Sequence, residues 1–277
     1  LQIVHSFHLP RATRLRAAEI GLIICSNICD SIRANSIFHA VAPTEKEIAT
    51  EDSIQRMAVL YHTIFGSLNT ADQIAQSLYS KSLRQTASTT SYQDAGRSAF
   101  ALRMCGKTSL AIEAFEYSYR TAIEIGAPRL AQFPAWQLAN LYLEMANESS
   151  ANEWTNTLSN LFESDEDELS SSFVVAHFCR AAIHNQDFDR ATELLGRFKR
   201  AQPRSPTVKA HAYVVALEIG TQLLDPEWMP NEALLEVACA RHDSTARFGT
   251  SDFLSTVYFS ALQRAGRFEE AEAKTLD

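Results

Sequence analysis

The sequence predicts an all-α fold built from about seven antiparallel helix pairs, and three observations lead to this prediction. Glycine and proline are scarce, with 9 and 8 residues among 277, or about 3% each against a usual 7% and 5%. Similar segments recur at a fixed interval of about 40 residues, which we call the repeat interval. Within each interval, apolar residues follow one another at spacings of three and four, which places them on one face of a helix.

The recurring segments begin at Gly106, Gln186 and Gly266, so the step from the first to the second equals the step from the second to the third. Halving this step divides the chain evenly, with helix turns expected near positions 26, 66, 106, 146, 186, 226 and 266. A repeat of this kind is typical of proteins in which stacked helical units share a continuous core. We therefore expect one repeat array over residues 1–277.

Small residues follow the expected turns by five positions. This column consists of Ala71, Ala111, Ala151, Ala191 and Ala271, with Ser31 and Asn231 in the two weaker repeats. A small side chain at this place lets the two helices of a pair approach closely. We expect these alanines to be buried where the paired helices cross.

Each interval contains two helices, one before the turn and one after it. Examples of their apolar faces are Ala135, Leu138, Ala139 and Tyr142 before one turn, and Ala191, Leu194, Leu195 and Phe198 after another. Glycine at the turn can adopt a positive φ. Pro43, Pro128 and Pro203 mark places where a second helix must stop. In the sixth repeat, Asp225–Pro230 replaces the tight turn.

Charge and composition exclude several classes of protein. Lysine and arginine number 25 and aspartate and glutamate 33, so the net charge is −8 and no direct nucleic acid binding is expected. The longest apolar runs, such as Ile20–Cys25, are far shorter than the ~20 residues that cross a bilayer, so no membrane association is expected. Five cysteines, an odd number, indicate reduced thiols and a cytoplasmic location. The chain begins at Leu1 and stops within a helical pattern, which indicates a piece of a larger protein.

Two patterns resemble chemical sites, and in both the sequence favours a structural role. Residues 101–108 resemble a phosphate-binding loop, but the preceding residues are helical in pattern and Gly106 occupies a repeat turn. His177, Cys179 and His184 are close in sequence, yet Cys179 lies on a buried face and zinc needs four convergent ligands. We therefore expect no catalytic site, no cofactor and no metal.

Two segments carry a more specific resemblance. Gln186-Asp-Phe-Asp-Arg-Ala191 followed by Pro203, and Gly266-Arg-Phe-Glu-Glu-Ala271, resemble the core of the tetratricopeptide repeat. The repeat interval is longer than the one usual in that family and is similar to the long repeats of bacterial regulators of the maltose-operon-activator type. The resemblance implies a right-handed α-solenoid whose first helices line a concave groove.

The resemblance also implies which residues of the first helices line that groove, and we expect them to form one continuous surface. The candidates are Arg56, Gln93, Phe100, Arg103, Trp136, Asn140, Glu144, Arg180, His184, Tyr213, Gln263 and Arg264. Arginine and aromatic residues are enriched at binding hot spots. Phe100 and Trp136 are equally well explained as core residues. Of the residues that clamp a peptide carboxylate in some family members, Asn140 alone is matched.

The sequence therefore predicts a non-catalytic protein–protein interaction module with a protein or peptide partner in the groove. By resemblance, it is the regulatory part of a bacterial cytoplasmic signalling or transcription-control protein. The alternative is a small-molecule-sensing input domain that binds its ligand inside the superhelix. A homo-oligomer is possible from the sequence, which does not decide the oligomeric state.

Overall fold

The structure is a computed structural model that describes residues 10–41, 44, 48, 51–163, 168–201, 207–245 and 251–276. Within these ranges the chain forms helices and no β-strand, which confirms the prediction of an all-α fold. The described residues form fourteen helices of nine or more residues: α1 (Arg11–Ile28), α2 (Ser31–Val41), α3 (Asp52–Ile64), α4 (Leu68–Ser82), α5 (Thr89–Met104), α6 (Thr108–Glu124), α7 (Pro128–Glu144), α8 (Glu148–Glu163), α9 (Glu168–His184), α10 (Phe188–Ala201), α11 (Val208–Gln222), α12 (Glu232–Thr245), α13 (Ser251–Arg264) and α14 (Phe268–Leu276). We refer to the odd-numbered helices as first helices and to the even-numbered ones as second helices.

The chain divides into two compact units. Unit 1 comprises residues 1–26 and 30–166, and unit 2 comprises residues 27–29 and 167–277. In unit 1, each helix from α2 to α8 packs on its neighbour along the chain, and α3 also packs on α5. In unit 2, the helices from α9 to α14 pack in the same way, and α9 contacts α11 while α11 contacts α13. In both units, some first helices therefore pack on one another as well as on their neighbours along the chain.

Large apolar side chains fill the core of each unit. In unit 1, the fully buried members include Leu22 of α1, Ile54 of α3 and Phe115 of α6. In unit 2, Phe198 of α10 and Tyr258 of α13 belong to two such clusters. Of these residues, Phe115 and Phe198 lie on apolar faces that the spacing of three and four predicts.

Four helix turns occur at the predicted repeat interval. Gly106, Ala146, Gln186 and Gly266 all adopt a left-handed backbone, with φ between 53° and 76°. In each case the N–H of the turn residue and the next N–H donate to carbonyls three and five residues back, as at Gly106 (3.0 Å) and the following residue (2.8 Å). These bonds satisfy the carbonyls at the end of the first helix. The turn at Gly66 needs glycine for space, because a Cβ there would lie 2.6 Å from His62 Nδ1.

The column of alanines is buried, as predicted. Ala71, Ala111, Ala151, Ala191 and Ala271 are each at most 4% exposed. The backbone N–H of each alanine donates to the carbonyl four residues earlier, on the residue just before the second helix begins. The column therefore marks the first turn of the second helix, where it crosses its partner. The apolar runs around Leu138 and Leu194 are buried as well.

The first and sixth repeats depart from the predicted register. Ser26 is buried within α1, and the first turn lies at Cys29, which has φ 56°. Asp30 caps α2 by accepting a hydrogen bond from the Arg33 N–H, so the buried position moves from Ser31 to Ala34. In the sixth repeat, Asn231 caps α12 in the same way after the long connection that replaces the tight turn, and Leu235 takes the buried place. In both repeats the position of the helix cap determines which residue is buried.

Of the three prolines predicted to mark helix ends, one lies among the described residues and confirms the prediction. Pro128 is the first residue of α7, where its missing N–H leaves no helix hydrogen bond unmade. Pro43 and Pro203 lie outside the residues that the structure describes.

Replacing Ala191 by leucine is expected to lower the free energy of unfolding by about 1–3 kcal/mol, because overpacking forces two close helices apart. Ala191 is fully buried, and its carbonyl accepts a hydrogen bond from Cys179 Sγ of the paired helix at 3.4 Å. Ala240→Leu is the matched control, since Ala240 is exposed on α12 of the same unit. Urea denaturation measures both variants, and equal effects would contradict the crossing at Ala191.

Candidate functional site

Polar side chains connect the first helices of unit 1. Arg56 of α3 donates to the Asp94 carboxylate of α5 at 2.7 Å, and Asp94 is fully buried. Arg103 of α5 donates to the side-chain oxygen of Gln137 at 2.6 Å and to the Glu144 carboxylate at 2.6 and 2.9 Å, both on α7. These partners are 34 to 41 residues apart in sequence. Stacking of first helices therefore places residues from successive repeats side by side.

Four further residues predicted for the groove lie on the same helices. Phe100 and Trp136 are half-buried, Phe100 against the core and Trp136 beside Phe133 with ring centroids 6.1 Å apart. Gln93 lines a charged cleft of unit 1. Asn140 is only 3% exposed, and its amide donates to the Trp136 carbonyl at 3.0 Å. The Asn140 side chain is therefore held inside the unit, and its contact with a partner stays a prediction.

The other five predicted residues belong to unit 2. The Arg180 guanidinium lies over the Phe253 ring, 4.9 Å from its centroid. Tyr213 packs partly buried against the core, and Arg264 donates to the Asp225 carbonyl at 2.7 Å. His184 and Gln263 are exposed.

Contacts bring together two pairs of the predicted residues within unit 1, Arg103 with Glu144 and Trp136 with Asn140, and Arg56 and Gln93 line the same cleft. One continuous surface over all twelve residues stays a prediction, because it spans both units.

In the structure, both sequence patterns that resemble chemical sites lie on helices or on the turn between two helices. Residues 101–104 form the last turn of α5, Gly106 is the left-handed turn and Thr108 begins α6, so no strand precedes the loop. Cys179 is buried, and burial raises the pKa of its thiol to about 11. Among the described residues, no group of three or more His, Cys, Asp or Glu side chains could hold a metal ion. None of the helices in the described ranges is long and apolar enough to cross a membrane.

Unit 1 contains a charged cleft that was not predicted from the sequence. The cleft has a volume of about 300 Å³ and is lined from α1, α3 and the start of α5, with Arg11, Arg16, Arg56, Glu19 and Glu51 among its residues. Behind it, Arg97 of α5 is paired with Glu19. The sequence contained a signal for this cluster, because Arg16, Arg56 and Arg97 follow one another at nearly the repeat interval.

No protein-family model, no curated protein and no solved structure matches this chain. The resemblance to tetratricopeptide repeats therefore depends on the segments around Ala191 and Ala271 alone. A function for the chain has to be argued from its own side chains.

His177 gives the stability of unit 2 a specific dependence on pH. Its side chain is 2% exposed, and burial, with a smaller contribution from the Arg180 charge, lowers its pKa to about 3. The unfolded chain binds a proton near the ordinary value of about 6.5, whereas the folded chain stays neutral. Neutral His177 therefore makes its full contribution to the free energy of unfolding above about pH 6.5. This contribution is lost as the pH falls toward 3.

We expect His177→Leu to flatten the loss of unfolding free energy between about pH 7 and pH 4 relative to the parent chain. Urea denaturation at several pH values measures this slope. His184→Leu is the control, because His184 is an exposed residue of the same helix. An unchanged slope in His177→Leu would show that His177 takes up a proton in the folded chain.

Proposed function

We propose that this chain is a non-catalytic protein–protein interaction module. It is a right-handed α-solenoid of about seven antiparallel helix pairs in a single array, and it binds a protein or peptide on its first helices. It serves as the regulatory part of a larger bacterial cytoplasmic protein in signalling or transcription control. This binding is expected to need no cofactor and no metal.

The observation that supports this proposal most is the direct stacking of first helices in both units. In unit 1, α3 packs on α5, and Arg103 reaches from α5 to two side chains of α7. Partly exposed aromatic and arginine side chains, Phe100, Arg103 and Trp136, are therefore arranged across consecutive repeats. Aromatic side chains bury much area at a small cost in conformational entropy, and both aromatic residues and arginine are enriched at binding hot spots.

In unit 2, Arg180 is the arginine that we propose to contact a peptide. Its guanidinium is positioned over the Phe253 ring, so the charge is held in place before a partner arrives. A preformed geometry of this kind lowers the entropic cost of binding.

A second candidate function is the sensing of a small molecule, and the arginine-lined cleft of unit 1 favours it. This function uses other residues and another class of ligand, so the two proposals can be tested separately.

Selection of peptides from a displayed library on the purified chain tests the interaction proposal. We expect the selected peptides to lose about tenfold or more in affinity when Arg103, Trp136 or Arg180 is replaced by alanine. Ile123→Ala is the control, because Ile123 is an exposed apolar residue on a second helix, α6. Circular dichroism establishes that each variant stays folded.

Two results would contradict the interaction proposal. One is a library that yields no binding peptide. The other is a set of peptides whose affinity is unchanged in the three first-helix variants and falls in Ile123→Ala.

A further inference from the structure

The cleft of unit 1 is lined with side chains that donate hydrogen bonds. Arg11 and Arg16 of α1, Arg56 of α3 and Gln93 of α5 all contribute to its walls, and the cleft has a volume of about 300 Å³. Guanidinium groups present planar pairs of N–H donors that match carboxylate and phosphate oxygens. The amide of Gln93 adds further donors.

Buried carboxylates hold two of these arginines in position. Asp94, which is fully buried, accepts from Arg56 Nη1 at 2.7 Å. Glu19 bridges two guanidiniums: one oxygen accepts from Arg16 at 2.7 Å, and the other is paired with Arg97. The two carboxylates therefore fix the positions of the guanidinium groups that line the cleft, as in preorganised anion sites.

Positive charge exceeds negative charge in this cluster. Three guanidiniums, those of Arg16, Arg56 and Arg97, interact with two carboxylates, those of Glu19 and Asp94. Burial lowers the pKa of Arg97, and although Glu19 opposes this shift, the charges of Arg56 and Arg16 lower the pKa further. Arginine nevertheless keeps its proton in proteins. An anion in the cleft would relieve the repulsion among the three like charges.

The geometry points to a binding site in this cleft for a small molecule that carries a carboxylate or phosphate group. The inference rests on the second function proposed above, ligand sensing, and is independent of peptide binding. The size of the cleft suits a ligand of metabolite size, since pockets for such ligands begin at about 300 Å³. Arg16 and Arg56 would contact its oxyanion.

A carboxylate of the chain competes with the ligand at the rim. Glu51 lies 3.5 Å from Arg11, and both side chains are about half exposed. An exposed pair at this distance is weak and is screened by salt. Removing the Glu51 charge should therefore strengthen anion binding, which a purely structural role for the arginines would not produce.

Isothermal titration of the full chain with citrate, and in a second arm with pyrophosphate, tests the site at an ionic strength fixed by NaCl. We expect saturable binding with a Kd below about 1 mM in at least one arm, and the arm that binds identifies the oxyanion as carboxylate or phosphate. Arg16→Gln should weaken binding by about fivefold or more, and Glu51→Gln should strengthen it.

The chain offers a matched control for each variant. Arg33 resembles Arg16 in exposure (61% against 63%) and in its pairing with a carboxylate three residues away, but it lies outside the cleft. Glu193 resembles Glu51 as a half-exposed partner of an arginine. Arg33→Gln and Glu193→Gln should leave the affinity unchanged.

Absence of saturable binding in both arms up to about 10 mM would overturn the inference. Equal losses in Arg16→Gln and Arg33→Gln would also overturn it, because they would show a response to net charge rather than to a site. Either result leaves the outcome of the peptide selection unaffected.

Discussion

The packing of first helices on one another, which joins α3 to α5, α9 to α11 and α11 to α13, is the contact on which the other features depend. Because equivalent helices are one repeat interval apart, this packing joins side chains that are distant in sequence, such as Arg56 with Asp94 and Arg103 with Glu144. In the five pairs that have it, the buried alanine of the column lets the second helix lie close to the first. The cleft and the proposed peptide-binding residues of unit 1 both extend over neighbouring first helices.

Much of the fold could be predicted because the repeat is encoded locally. A left-handed turn, a cap and a small residue in the first turn of the next helix are adjacent in sequence, so their recurrence at Gly106, Gln186 and Gly266 is visible without tertiary contacts. The first and sixth repeats differ because Asp30 and Asn231 cap their helices three or four residues later than the interval predicts. A good N-cap residue thus overrides the periodicity.

Side-chain positions on the first helices were harder to predict. Each first helix has neighbours on more than one side, so helical spacing alone does not separate a residue that faces solvent from one such as Asn140, which is enclosed. The charged cleft depends on three helices and has no local motif. In the sequence, Arg16, Arg56 and Arg97 follow one another at nearly the repeat interval. This spacing indicates that they lie close together only if the first helices are known to stack.

A double-mutant cycle on Arg103 and Glu144 tests this stacking most directly, because the two residues are 41 positions apart and meet only if α5 lies beside α7. Both side chains are less than one-quarter exposed, at 16% and 23%. Unfolding free energies of the chain, the two single alanine variants and the double variant should give a coupling energy of about 0.5–1.5 kcal/mol. Additive effects, within about 0.3 kcal/mol, would contradict the stacking of first helices at the repeat interval.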